Sequence, residues 1–384
     1  MMMTLRRKGA CSLLRDNTVR NLVHSKRRLV EVPYTATLSD TVNALVANNI
    51  VAVPVAAPPG HWIGAGGTMI MESDKVTGVV RKQYIGMVTM PDVLLHIAAE
   101  AEEEGGGGAG GVVLGGVDVQ RKMLVPVSSV IGQSLEGLSL WTLNPNTSII
   151  DCMETFSKGV HRALIPLESH TENVIAAELV EASPGYSMLT QMDVLVFLRE
   201  HADELKNILS CSIGQLGAVN ENVFAVTKRT QVLDAIKAMR TAALNAVPVV
   251  EDMEMPGDNQ ILLDGKGKKL VDTFSATDLR GCSVAQLQSW LSFTVVEFKE
   301  RVSSMVADEL TSTRRKLITC HHESSLGDVM EKAVDAHVHR VWVVDREGLL
   351  KGLISLTDML RVIREAVLQT EQDLGDVETP SIQL

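Results

Sequence analysis

The sequence predicts an α/β protein made of four copies of one β-α-β-β-α unit, paired two by two into a flattened disc. One short phrase, a hydrophobic run followed by Ser or Thr, two residues and Asp, occurs four times. The copies read Gly86-Met-Val-Thr89-Met-Pro-Asp92, Tyr186-Ser-Met-Leu-Thr190-Gln-Met-Asp193, Val271-Asp-Thr-Phe-Ser275-Ala-Thr-Asp278 and Gly352-Leu-Ile-Ser355-Leu-Thr-Asp358. Successive copies lie roughly 80 to 100 residues apart, the self-similarity of a repeat architecture. Each is followed by an apolar helical pattern, and a unit of about 60 residues is too small to bury its own faces, so the units must pair.

Each repeat opens with an amphipathic helix: Thr37 through Asn49, Thr147 through Lys158, Thr230 through Ala242 and Ser325 through Ala336. Val42, Leu45 and Val46, or Val232, Ile236 and Met239, recur at helical spacing, and the leading Thr or Ser serves as N-cap. A short strand follows: Val51 to Val55, Ala163 to Leu167, Ala246 to Val250 and Arg340 to Val344. Their continuous apolar character suits strands buried on both faces of a partly parallel sheet. A variable loop, a second strand ending in the phrase and a closing helix complete the unit.

The expected organisation is a basic N-terminal tail (1–14), repeat one (15–100), a Glu- and Gly-rich flexible linker (101–118), repeat two (119–205), repeat three (206–283), repeat four (284–370) and a C-terminal tail (371–384). Gly60 to Gly67 and Met255 to Gly267 read as loops inside repeats one and three, and Val284 to Arg315 as a polar helical stretch with Trp290 and Phe293. The module boundary falls near Lys206.

The composition excludes several function classes. With 384 residues and a net charge of −11, the chain lacks the basic face that nucleic acid requires. No apolar run approaches a membrane span of about 18 residues, and no apolar segment follows the basic start to make a secretory signal. Five scattered cysteines (Cys11, Cys152, Cys211, Cys282, Cys320) fit neither a disulfide framework nor a zinc site and point to reduced thiols in cytosol or nucleus. No nucleophile–base constellation, P-loop or kinase signature occurs. Gly105 to Gly111 lacks the Lys-Ser/Thr of a phosphate cradle. His321-His322 beside Cys320 has no third ligand at regular spacing and reads as a surface loop, so no metal is expected.

The element order and the closing Ser/Thr-x-x-Asp resemble the cystathionine-β-synthase (CBS) repeat, two of which make a Bateman module; the match covers roughly residues 15 to 370. Val338-His-Arg-Val-Trp-Val-Val-Asp345 with Lys351-Gly-Leu-Ile-Ser-Leu-Thr-Asp358 resembles the fourth repeat of the gamma subunit of AMP-activated/SNF1-type protein kinases. Ala246-Val-Pro-Val-Val250 with Lys268 to Asp278 resembles the third, where an Asp likewise stands in place of the usual Gly. The Gly-rich insertion and the Val-His-Arg-Ala-Leu-Ile-Pro wording of repeat two are most similar to the plant gamma-like (PV42-type) subunits. The resemblance implies a non-catalytic regulatory subunit that joins a catalytic alpha and a scaffold beta subunit. It would sense AMP, ADP or ATP in crevices between paired repeats.

Carried over residue by residue, the resemblance makes Asp92, Asp193, Asp278 and Asp358 ribose carboxylates, with Thr89, Thr190, Ser275 and Ser355 as accompanying hydroxyls. His161 with Arg162, and His339 with Arg340, would face phosphates. Thr37, Thr147, Thr230 and Ser325 would lie beside the nucleoside. The chemistry is sound by itself: a carboxylate accepts both ribose hydroxyls, Arg offers phosphate a planar fork, and a helix N-terminus adds positive potential.

The plain reading of the same Asp residues is helix capping and turn formation; that of His339-Arg340 is a solvated strand edge. Repeat one has Asn49-Ile-Val51-Ala52 where the family often carries Arg, and repeat three has the uncharged Asn245. In repeat two Leu164 takes the place of the usual Pro. At most two competent anion sites are therefore expected, those drawing on repeats two and four. The alternatives are a ligand-silent scaffold for a kinase complex, a CBS-pair regulator of a non-kinase metabolic or redox enzyme, and a nucleotide hydrolase.

Overall fold

The computed structural model describes residues 2–27, 29–57, 84–103, 119–133, 140–167, 186–251, 261–279, 282, 286, 289–306 and 317–377. Each repeat contributes its own small sheet. Repeat one supplies β1 (Val32–Pro33), β2 (Ala52–Ala56) and β3 (Tyr84–Thr89); repeat two supplies β4 (Trp141–Thr142), β5 (Arg162–Pro166) and β6 (Tyr186–Thr190). Repeat three has β7 (Phe224–Thr227), β8 (Ala246–Val250), β9 (Leu263–Asp264) and β10 (Leu270–Ser275), and repeat four has β11 (Thr319–Cys320), β12 (Arg340–Val344) and β13 (Leu350–Ser355). β9 lies inside the expected 255–267 loop and pairs antiparallel with β7. In every repeat the longer central strand runs parallel to the short first strand and antiparallel to the strand that carries the phrase.

Register repeats as faithfully as sequence. Thr89 pairs with Ala52, Thr190 with Arg162, Ser275 with Ala246 and Ser355 with Arg340. The phrase hydroxyl therefore always stands opposite the first residue of the central strand.

The opening helices span Leu38–Ala47, Ile149–Phe156, Val232–Thr241 and Leu326–Asp335. Thr37 and Ser325 cap theirs as expected, each hydroxyl accepting the amide three residues on. The second helix is capped by Ser148 rather than Thr147, and the third begins after Gln231 rather than Thr230. Thr230 instead turns back, its hydroxyl accepting the Thr227 amide at 3.1 Å. All four helices stop on a left-handed residue, at Asn49 (φ 52°), Gly159 (φ 91°), Ala243 (φ 53°) and His337 (φ 48°).

The closing helices are Met90–Glu103, Gln191–Glu200 and Leu356–Val377. In repeat three the phrase leads into a 3₁₀ turn, Ala276–Leu279; most of residues 280–288 lies outside the described residues, and the next long helix among those described is Val295–Val306. Of the stretch expected to be helical over 284–315, residues 289–294 precede that helix, and Trp290 and Phe293 pack against the core. Residues 104–118, which hold most of the expected linker, lie outside the described residues.

Two kinds of contact join the repeats. Sheet faces pair within modules: Ala56 and Tyr84 of repeat one meet Leu164 and Tyr186 of repeat two, while Ala225 and Val250 of repeat three meet Trp342 and Val344 of repeat four. Helical faces pair across modules. One core joins repeats one and three through Leu45, Val93, Ile236 and Phe274, and another joins two and four through Phe156, Leu198, Val329 and Ile363. The four repeats thus close a ring in which each touches two others by different faces. No helix among the described residues is long and apolar enough to cross a membrane.

Within each module the segment leading into one repeat is bonded to the cap of the other repeat's opening helix. Val19 N donates to Thr147 O while Ile149 N donates to Asn17 O, and Leu38 N donates to Val125 O while Val127 N donates to Ala36 O. The second module repeats this exchange with Ile213 and Ser324, Leu326 and Cys211, and Val232 and Phe293.

The described parts of both expected tails, residues 2–14 and 371–377, are helical. Residues 2–16 form a helix whose Ala10 and Leu14 are buried in the repeat two–repeat four core, and the last helix runs on to Val377. They meet through the Arg15–Glu371 ion pair (2.6 Å).

Two stability outcomes follow. Ala243 is exposed and left-handed, a conformation that costs a side chain with a Cβ about 1 kcal/mol, so Ala243→Gly should raise the thermal midpoint. The matching Asn49→Gly should gain less, since Asn tolerates that region. Leu14→Ala should cost about 2–4 kcal/mol in denaturant unfolding, whereas a tail residue would cost nothing.

Candidate functional site

The four phrases build the same turn. In each, one Asp oxygen, Oδ2, accepts from the backbone amide and the hydroxyl of the Ser or Thr three residues earlier: Thr89 at 2.7 and 2.6 Å, Thr190 at 2.7 and 2.7 Å, Ser275 at 2.7 and 3.1 Å, and Ser355 at 2.9 and 2.6 Å. The capping role is therefore present in all four.

Exposure separates the four. Asp92 and Asp278 are 0% and 5% exposed, and Thr89 is 1% exposed. Asp193 and Asp358 are half-buried, as are Thr190 and Ser355. Asp92 and Asp278 are closed off from solvent, whereas the other two lie within reach of it.

A cavity of about 240 Å³ opens at the Thr190 turn. Its walls come from repeat two (His161, Arg162, Met188, Thr190, Gln191, Met192), repeat one (Asn49 to Ala52), repeat four (His339, Leu356) and the lead-in segment (Lys26, Arg27, Leu29, Val30). The β5–β6 register explains why His161 and Arg162 are there, because Arg162 stands opposite Thr190. Gln191 N donates to His161 O (3.2 Å), tying the start of the helix Gln191–Glu200 to the head of the strand that carries Arg162. The first residues of that helix and of Leu356–Val377 both border the cavity, so two helix N-termini add positive potential. Basic side chains and helix starts line the cavity together with the apolar Leu29, Val30, Ile50, Met188 and Met192.

Of the expected phosphate-facing residues, His161, Arg162 and His339 are brought together here, whereas Arg340 is directed to repeat three, its Nη1 donating to Ala246 O at 3.3 Å. Thr37, Thr147, Thr230 and Ser325 are not among the cavity-lining residues. They sit at the seams between lead-in segments and helix caps, where Thr37 bridges Pro126 and Ser325 bridges Ser212. His321 Nδ1 is bonded to Val344 O at 2.9 Å. Burial raises the Cys152 and Cys320 thiols to about 12, which leaves them protonated and unreactive.

Sequence reasoning missed Lys26 and Gln191. Lys26 Nζ donates to Asp193 Oδ2 at 2.5 Å. Gln191 is 4% exposed, and its Nε2 donates to Phe156 O at 3.0 Å and to Thr357 Oγ1 at 2.8 Å, joining the closing turns of repeats two and four. Because a carbonyl only accepts, the amide orientation is fixed, and with both N–H groups used Gln191 has only its oxygen to offer a ligand. The available signal was positional: Met90, Ala276 and Leu356 hold the equivalent place in the other repeats.

The CBS domain profile matches residues 306–365, which include most of repeat four. An Arabidopsis thaliana SNF1-related protein kinase regulatory subunit gamma-like PV42a is 53% identical over 358 residues, covering 92% of this chain and 95% of that protein. Its counterpart PV42b is 50% identical, covering 94% and 99%. A Methanocaldococcus jannaschii protein, proposed in its description as an archaeal homologue of gamma-AMPK, has a crystal structure that aligns over 90% of this chain and 99% of its own. The TM-score is 0.55 at 18% identity, which speaks for the fold. With half or more of its residues shared along nearly the whole chain, this protein belongs to the family of gamma-like regulatory subunits of SNF1-related protein kinases.

Proposed function

We propose that the chain is a non-catalytic regulatory subunit that joins the catalytic alpha and scaffold beta subunits of an SNF1-related kinase and binds an adenine nucleotide in the cavity at Thr190. The observation that carries the nucleotide reading is the convergence of His161, Arg162 and His339 with the half-open Thr190–Asp193 turn around one cavity. Phosphate would meet the cations and the helix start, ribose the Asp193 side, and adenine the apolar wall of Ile50, Met188 and Met192. AMP, ADP and ATP share these parts, and the number of phosphates is what the cations would sense. Because His339 reaches the cavity from the second module, occupancy would bias how the two modules sit together. Coupling to the kinase further needs different affinities for its two states.

A ligand-silent scaffold remains the second reading, and the burial of Asp92 and Asp278 favours it for repeats one and three.

Calorimetric titration of the full chain with AMP and with ATP should give a single binding event. His161→Ala and His339→Ala should each weaken it about ten- to hundredfold, the worth of one charged hydrogen bond to phosphate. Asp92→Asn should lower the thermal midpoint and leave the titration unchanged. Co-expression with alpha and beta subunits should give a complex that survives gel filtration. Assembly without heat from either nucleotide would decide for the scaffold.

A further inference from the structure

Lys26 lines the cavity and is bonded to the carboxylate of the Thr190 turn. Its Nζ bonds Asp193 Oδ2, which already accepts the Thr190 amide and hydroxyl at 2.7 Å each, and its side chain lines the same wall as His161, Arg162 and His339. The backbone around it is held: Val19 and Val23 are buried, and Arg27 Nη1 donates to Asn48 O at 3.0 Å. The ion pair itself is neither sealed nor free, with side-chain exposures of 25% for Lys26 and 26% for Asp193. It can therefore exchange by rotation of one side chain.

That arrangement discriminates between ligands. A ribose diol is neutral, and to be held by Asp193 it must compete with an ammonium, whose hydrogen bond is about twice as strong. A nucleoside alone has nothing to give Lys26 in return. A phosphate does: the flexible four-carbon stem lets the ammonium leave Asp193 for an anion in the same cavity, while the Thr190 amide and hydroxyl and the incoming ribose hydroxyls keep the part-exposed Asp193 carboxylate hydrogen-bonded. We infer that Lys26 is a specificity-determining counterion that bars unphosphorylated nucleosides and admits ligands whose phosphate takes the ammonium over from Asp193. The inference rests on the cavity being a nucleotide site and adds the rule by which that site chooses.

The test is calorimetric titration of the full chain with adenosine and with AMP, in the wild type, Lys26→Met and Lys26→Arg. Lys26→Met keeps the aliphatic stem and should bind adenosine about tenfold more tightly and AMP about tenfold more weakly, so the preference for AMP contracts about a hundredfold. Lys26→Arg should keep most of that preference. If Lys26→Met lowers the thermal midpoint markedly, Lys26→Gln serves with the same expectation. Equal shifts for both ligands, or no shift, with AMP still bound by the wild type, would overturn the counterion role and leave the nucleotide site standing. Adenosine bound by Lys26→Met alone supports the role, whereas silence from every variant with both ligands would overturn site and role together.

Discussion

Each sheet in this molecule has two apolar faces and too few residues of its own to cover both. β2 and β8 are buried at every position, although each sits in a unit of only modest size. The helices of a repeat cover one face in part, and the other face needs a sheet from elsewhere. The solution is a closed ring, with sheet against sheet inside a module and helices against helices between modules. Removing any one repeat would expose two surfaces at once, so the four stand or fall as a set.

The two contact types differ in what they do. The helical interfaces hold the large cores, with Phe156 and Phe298 fully buried. The sheet interfaces are smaller, and the cavity lies at the edge of one of them, where Leu29 and Met188 belong both to the repeat one–repeat two cluster and to the cavity wall. A thin interface that leaves space is where a ligand can be held by two repeats without breaking a core. Gly352 shows how close the other sheet pair comes, since a Cβ there would lie 2.6 Å from Asn220 O.

Much of this was legible in the sequence because it is local. The phrase, the amphipathic helices and the strand runs carry their own periodicity, and the repeat count follows. Helix starts were legible only to within a residue where two candidates adjoin, as at Thr147 and Ser148, because the register of the helix decides which one caps. The helix at residues 2–16 was taken for a tail, since its short apolar side, Ala10 and Leu14, has meaning only against the last helix. The cross-module cores were illegible for a related reason: an apolar stripe states that it must be covered, not by what. Lys26 escaped notice in the same way, lying 167 residues from the carboxylate it meets.

The difference between open and closed turns has a simple physical origin. At the two positions that start the central strand, repeats one and three carry Val51-Ala52 and Asn245-Ala246, while repeats two and four carry His161-Arg162 and His339-Arg340. Where these positions are uncharged, Asp92 and Asp278 are buried, each bonded to the amide of its own turn. Such burial is tolerable because each carboxylate keeps an amide and a hydroxyl on Oδ2. Imidazole and guanidinium groups are costlier to bury, since each needs water, a carbonyl or an anion as partner. Arg340 finds a carbonyl at Ala246, whereas Arg162 stays at the cavity with both histidines. The half-buried turns thus belong to the repeats that carry His-Arg at the head of the central strand, and the sealed Asp residues to those that do not.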